Sequence, residues 1–321
     1  MHLPAWTAAL LLGAAAAIAS PAHRFHSVVV VGDSLSDSGN VYRLTNHSWP
    51  ADGAYYRGRF SNGPVWVEVL TRDLAHFVPS TDLLDLSYGG ATTNNTRTQG
   101  LTGYNSTIPV PSVLEQVDGY LKSASKKNIG RSLFIITGGS NDAFFGLGGP
   151  ISPDELAKAA AADLLTASRR LYKAGARHFL ITGVPGLQSI PYVNDFAQVY
   201  ASSLNSFADT FIAYLRAHLR DAAGKGATVV LHDQAAALGK YIQHKAQLPG
   251  WNVRDACLVG VYPGEAPTRA LCEDPQRHVF WDVYHPSAVT HRFIAHSAIK
   301  AIATSVTDKY LPHSCSLKIH L

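Results

Sequence analysis

The sequence predicts a doubly wound α/β fold of three layers, a mainly parallel five-stranded sheet between two sets of helices. Three observations lead there. Short β-branched runs alternate with long stretches of helical spacing. The runs are continuously apolar, as strands covered on both faces are. No internal repeat or low-complexity linker interrupts the series. At 321 residues, 46% hydrophobic and 16% charged, the chain has enough apolar material for one large core.

The elements follow in order. Ser27-Val28-Val29-Val30-Val31 reads as the first strand and ends at Gly32. Leu83 to Tyr88 is a weaker second strand ending at Gly89-Gly90. Leu133-Phe134-Ile135-Ile136-Thr137 ends at Gly138-Gly139, and Phe179-Leu180-Ile181-Thr182 at Gly183. Thr228-Val229-Val230-Leu231 ends at His232-Asp233. Between the third and fourth runs, Ser152-Pro153-Asp154-Glu155 is a helix start: a capping serine, proline at the first helical position, glutamate at the third. That helix runs through Leu156, Ala160, Leu164 and Leu171 to a stop at Gly175. Asn194 to Ala223 and Ser287 to Thr307 also carry helical spacing. Such sheets bind ligands beyond the carboxyl ends of their strands, so the residues just after each strand are the ones to inspect.

The chain begins with a different pattern. Leu10 to Ala19 is an unbroken apolar and glycine run within a longer apolar segment from Trp6. Ala17-Ile18-Ala19 presents small residues where a signal peptidase cuts, and Ser20-Pro21-Ala22 offers another site. A buried N-terminal helix is the competing reading. We expect residues 1–19, or up to 22, to be an export leader, 23–308 a single domain and 309–321 a C-terminal tail. The run is short for a membrane-spanning helix, so a soluble, secreted monomer with no stable membrane span is expected. Three acceptor triplets agree with export and mark Asn46, Asn94 and Asn105 for N-glycosylation. Of the three cysteines, Cys257 and Cys272 would close a short loop rich in proline and glycine, leaving Cys315 over; Cys272–Cys315 is the other pairing. No Cys/His spacing points to a metal site. The formal net charge of +4 is spread along the chain, which gives no support to a nucleic-acid partner.

The chemistry lies in four short blocks. The first strand runs into Gly32-Asp33-Ser34-Leu35. A serine there stands at the mouth of the crevice, and a helix starting near it would add amide N–H groups for an oxyanion. Taken alone, the same letters also suit a capping serine. Gly-x-Ser-x-Gly, the nucleophile elbow of another hydrolase class, is absent, because position 36 is Ser36. Gly89-Gly90 lets the backbone approach a ligand closely. Gly139-Ser140-Asn141-Asp142 follows the third strand, and the Asn141 amide suits a developing negative charge. Near the C-terminus stands Asp282-Val283-Tyr284-His285. One turn of chain lets the Asp282 carboxylate accept the imidazole Nδ1–H, which frees Nε2 to take a hydroxyl proton. Of the neighbouring residues, Asp33 and Asp142 read as loop hydrogen-bonders. Asp37, Asn40 and Asn62 read as structuring the pocket rim. Tyr55-Tyr56, Trp49 and Trp66 read as core packing, or as a wall for a sugar or acyl group.

In this order the blocks resemble the GDSL, or SGNH, hydrolase family. The stretch Arg59-Phe60-Ser61-Asn62-Gly63-Pro64-Val65-Trp66 is similar to the one after the first block in fungal and plant-type members, and secreted fungal esterases and acetylesterases are the type suggested. The likeness spans roughly Val28 to Ala298. It implies an SGNH, flavodoxin-like sheet, Ser34 as nucleophile, His285 as general base and then acid, and Asp282 as its orienting partner. It implies an oxyanion hole made of the Ser34 N–H, the Gly90 N–H and the Asn141 amide, with Gly89 as the alternative to Gly90. It implies no metal and no organic cofactor. The implied activity is carboxylic ester hydrolysis through an acyl-enzyme, on short-chain (acetyl) esters including those of carbohydrates. Lipase or lysophospholipase action, acyl transfer to an alcohol or sterol, and a non-catalytic glycan- or lipid-binding module are the alternatives.

Overall fold

A computed structural model describes residues 26–50, 53–76, 82–123, 128–265 and 268–310, side chains of 306–310 excepted. The expected leader, Cys315 and all but the start of the expected tail lie outside the described residues. Strands β1 (Ser27–Val31), β2 (Asp82–Asp85), β3 (Ser132–Ile136), β4 (His178–Thr182) and β5 (Thr228–His232) form one five-stranded sheet. Its order is β2-β1-β3-β4-β5, and every neighbouring pair is parallel. Val29 stands in register with Leu84 on one side and Phe134 on the other.

Both faces of the central strands β1, β3 and β4 are buried, which is why they read as continuous apolar runs, while edge strand β2 is partly exposed. Successive side chains point to opposite faces. Val29, Val31, Phe134, Ile136 and Phe179 enter one cluster with residues of α2 (Val113–Lys122), α4 (Pro153–Lys173) and α5 (Ala201–His218). Val28, Val30, Leu133, Ile135 and Leu180 enter the other with residues of α1 (Trp66–Ala75) and α7 (Ala288–Tyr310). Each such side chain contributes roughly 1.5–3 kcal/mol by leaving water. α3 (Ser140–Gly146) and α6 (Gln234–Ala246) complete the longer helices. No helix among the described residues is long and apolar enough to cross a membrane.

Local signals act as the sequence predicts at α4. Ser152 Oγ accepts from the Glu155 N–H, and the Glu155 carboxylate accepts from the Ser152 hydroxyl at 2.8 Å. The helix ends at Lys173, and Gly175 follows with φ of +113°, in the left-handed region. Two boundaries differ from expectation. The second strand stops at Asp85, not Tyr88, because the Asp85 carboxylate turns back to accept the Ser87 N–H at 2.9 Å. The helix expected over 194–223 is divided into Pro191–Asp195 and α5. The short piece is drawn elsewhere: Tyr192 donates its N–H to the Val283 carbonyl at 2.9 Å, inside the Asp282–His285 segment.

One side chain clamps the end of β1. Gln116 of α2 accepts the Gly32 N–H at 2.8 Å and donates to the Gly32 carbonyl at 2.9 Å and the Pro111 carbonyl at 3.1 Å. The site is buried, so removing the amide leaves backbone groups without partners. Gln116→Ala should lower the unfolding free energy by about 2–3 kcal/mol, read from the urea midpoint.

Candidate active site

Ser34 sits beyond the carboxyl end of β1 on a single tight turn, where the Asp33 carbonyl accepts from the Ser36 and Asp37 N–H groups, both at 3.0 Å. No helix begins at Ser34; the next starts at Asn40. The turn is held by the buried Asp37 carboxylate. It accepts the N–H groups of Gly39 (2.8 Å), Asn40 (2.5 Å) and Val41 (3.1 Å), and that of Gly89 at 2.9 Å from the loop after β2. Asp37 therefore joins two loops from a buried position. Asn40 donates to the carbonyls of Asp85 and Ser87. Asn62 accepts the Ala288 N–H at 2.7 Å and caps α7. Asp33 is buried and accepts the Leu35 N–H, as the loop reading expected, and burial lifts its carboxyl to about 6.

Asp282, His285 and Ser34 form one hydrogen-bonded line. His285 Nε2 lies 2.9 Å from Ser34 Oγ, across 251 positions of sequence. His285 Nδ1 lies 2.8 Å from both carboxylate oxygens of Asp282. That geometry assigns the Nδ1 proton to the Asp282 bond and leaves Nε2 to accept from Ser34. Asp282 is 0% exposed. Burial alone would raise its carboxyl. The charge and hydrogen bond of His285, the Tyr55 hydroxyl and the Tyr284 N–H outweigh it and hold the group below the ordinary range. The Tyr284 and His285 N–H groups donate to Oδ1 at 2.8 and 2.7 Å. On Oδ2, Tyr55 donates at 2.7 Å and Tyr262 at 3.2 Å.

Gly90 and Asn141 face the same space as Ser34. The Gly89 N–H is already spent on Asp37. Gly90 has φ of +88°, and a Cβ there would stand 1.9 Å from the Leu101 carbonyl oxygen, so only glycine fits. Asn141 gives one amide hydrogen to the Ala91 carbonyl at 2.9 Å, which aims its side chain at the Gly90 turn. The next residue braces the same loop: Asp142, fully buried, accepts from the Thr93 N–H at 2.8 Å and the Thr93 hydroxyl at 2.7 Å. Burial pushes the Asp142 carboxyl up to about 7.

These groups open into a cavity of about 430 Å³. Leu35, Leu101, Phe144, Phe145, Leu187 and Ile190 make much of its wall. Trp49 also lines it, whereas Trp66 is buried and donates to Ser36 Oγ at 3.0 Å. Tyr55 is 4% exposed and serves Asp282, not a sugar. Tyr55 was read as core packing or as a wall for a sugar or acyl group, and Tyr262 was missed, because no local spacing links either to Asp282. Cys257 and Cys272 are disulfide-bonded, and the loop they close carries Tyr262. Their sulfurs and His278 have the reach of a metal-ligand set among the described residues, but bonding to each other removes both thiolate donors. Of the glycosylation candidates, Asn46 and Asn105 are exposed; Asn94 is half-buried and accepts from Thr96.

Residues 28–298 match the family described as GDSL-like Lipase/Acylhydrolase. The chain is 26% identical over 290 residues to the thermolabile hemolysin of Vibrio parahaemolyticus, covering 87% of this chain and 64% of that protein. It is 31% identical over 183 residues to the phosphatidylcholine-sterol acyltransferase of Aeromonas hydrophila, covering 56% and 50%. It therefore spans under two thirds of either relative. A solved GDSL-like lipase from Parabacteroides merdae aligns with a TM-score of 0.49 and 10% identity, over 87% of this chain and 95% of that one.

Two predictions follow from this geometry. Gly90→Ala forces a side chain into the left-handed region and against a carbonyl, and should cost at least about 2 kcal/mol in urea unfolding. Asp142 binds its proton more tightly folded than unfolded. Its contribution to stability is full below about 4 and declines as pH rises through about 7. Asp142→Asn has no such slope, so its urea midpoint should gain on the parent's between those values.

Proposed function

The chain belongs to the GDSL-like lipase/acylhydrolase family, and from that premise we propose that it hydrolyses carboxylic esters through an acyl-enzyme. The observation that supports this reading best is the unbroken line from Asp282 through His285 to Ser34 Oγ at 2.9 Å. Ser34 Oγ attacks the ester carbonyl carbon as its proton passes to His285 Nε2. The carbonyl oxygen becomes an oxyanion held by the Ser34 N–H, the Gly90 N–H and the free amide hydrogen of Asn141. The tetrahedral centre collapses, the bond to the alcohol oxygen breaks, and His285 returns the proton to the leaving alcohol. Water then repeats the cycle on the acyl-serine, with His285 again as base, and releases the acid. Asp282 keeps the imidazole oriented and stabilises its charged form. The cycle closes with these groups and water.

Short-chain esters, acetylated carbohydrates among them, are the proposed substrates. The apolar wall and the 430 Å³ cavity favour a second reading, a longer acyl chain as in a lipase or lysophospholipase. The same wall suits acyl transfer to an alcohol, the reaction in the Aeromonas relative's name. Export with glycans on Asn46, Asn94 and Asn105 belongs to the same proposal, and the Cys257–Cys272 bond fits an oxidising compartment.

The test is the initial rate on esters from acetate through butyrate and octanoate to palmitate, with a competing alcohol in a parallel set. Ser34→Ala should lose at least about a thousandfold in turnover, and Asn141→Ala about a hundred- to a thousandfold with the fold intact. Fastest rates on acetate support the short-chain reading, and on palmitate the lipase reading. Alkyl ester formed from the competing alcohol would indicate transfer. A Ser34→Ala rate equal to the parent's overturns the nucleophile assignment.

A further inference from the structure

The acid end of the catalytic line is more heavily bonded than an orienting carboxylate requires. Asp282 Oδ1 already accepts two backbone N–H groups and faces His285 Nδ1. Oδ2 also faces Nδ1, and takes two phenol hydroxyls as well. The two tyrosines come from separate parts of the chain. Tyr55 lies 227 positions away, packed edge-on against Trp281 with ring centroids 6.3 Å apart. Tyr262 rides on the loop closed by Cys257 and Cys272, and its hydroxyl also stands 3.4 Å from His285 Nδ1. A phenylalanine would fill either space. Burying a phenol hydroxyl is costly unless it is paired, and both hydroxyls find the same oxygen.

We infer that Tyr55 and Tyr262 are positioning residues of the catalytic line: their hydroxyls lock the Asp282 carboxylate and moderate the basicity that it confers on His285. The inference rests on the reading of Ser34, His285 and Asp282 as the reacting line. A carboxylate that shares its negative charge with two phenols attracts the imidazolium less than a bare one. Burial and the charge of Asp282 push both phenol hydroxyls above their ordinary range, so they remain donors. Other charged or titratable groups act on the pair from around it. Asp33 of the Ser34 turn and His291 of α7 couple to His285, while Glu265 and Tyr284 couple to Asp282. The two hydroxyls also interact with each other, so the shift on each Tyr→Phe reports that hydroxyl together with its effect on the other.

The experiment compares the parent with Tyr55→Phe and Tyr262→Phe, each checked for folding by circular dichroism. Two readouts are taken: the pH profile of kcat/KM, and the titration of the His285 imidazole by NMR without substrate. Tyr55→Phe should raise the acidic limb and the His285 titration by about half a pH unit or more. Turnover at neutral pH should fall about five- to tenfold while KM stays within about twofold. Tyr262→Phe, whose bond is longer, should move both readouts the same way by less. Folded variants whose limb and imidazole titration match the parent's, or move down, overturn the inference and leave the hydroxyls as packing. If Tyr55→Phe does not fold, the Tyr262→Phe titration decides alone. If Ser34→Ala turns over ester at the parent's rate, the assignment of Ser34 as nucleophile fails, and the NMR titration still judges the tyrosines.

Discussion

β1 is paired in parallel on both edges and covered by helices on both faces. A strand in that position has no freedom to slide or tilt, and its neighbours all end at the same side of the sheet. The loops after β1, β2 and β3 must therefore meet. They bring Ser34, Gly90 and Asn141 to one cavity without any of the three being near another in sequence. Gln116 adds a clamp at Gly32, so the turn carrying Ser34 starts from a fixed point.

Three buried carboxylates hold the loops, each made tolerable in a different way. Asp37 is surrounded by backbone N–H groups and joins the Ser34 turn to Gly89. Asp142 rests on one threonine and, with few donors against complete burial, keeps a raised affinity for its proton. Asp282 meets an imidazole, two backbone N–H groups and two phenols, which together outweigh the same burial. Burial and the nearby Asp85 carboxylate push Asp37 up to about 7 despite its four N–H donors, and only the charged His285 beside Asp282 turns the balance the other way. A like degree of burial thus yields a brace with raised proton affinity in one place and, beside His285, a carboxylate held below its ordinary range in another.

Much of the fold was legible because its signals are local. The valine run of β1, the capping box at Ser152 and the stop at Gly175 each lie within one element, and each acts as its own residues dictate. Where a distant partner intervened, the local signal misled. The helical spacing from Asn194 did not foresee that Tyr192 would bond to Val283. The turn letters after Val31 did not show that Ser34 would stand on a turn held by Asp37 in place of a helix start. At the site, Tyr55 and Trp66 were both aromatic neighbours of a candidate loop. Only their partners separate a residue that serves Asp282 from one that props Ser36.

The sequence by itself determined the class of fold, the place of Ser34 after a doubly buried strand, and the Asp282–His285 pair one turn apart. Periodicity and short spacing encode these, since each depends on residues that are neighbours along the chain. Only the tertiary structure decided which glycine is free, since Gly89 is taken by a carboxylate 52 positions away. Only it decided that two tyrosines from separate loops share one oxygen of Asp282. A hydrogen bond of that kind depends on where the packed layers leave a buried acceptor, and no spacing along the chain records that.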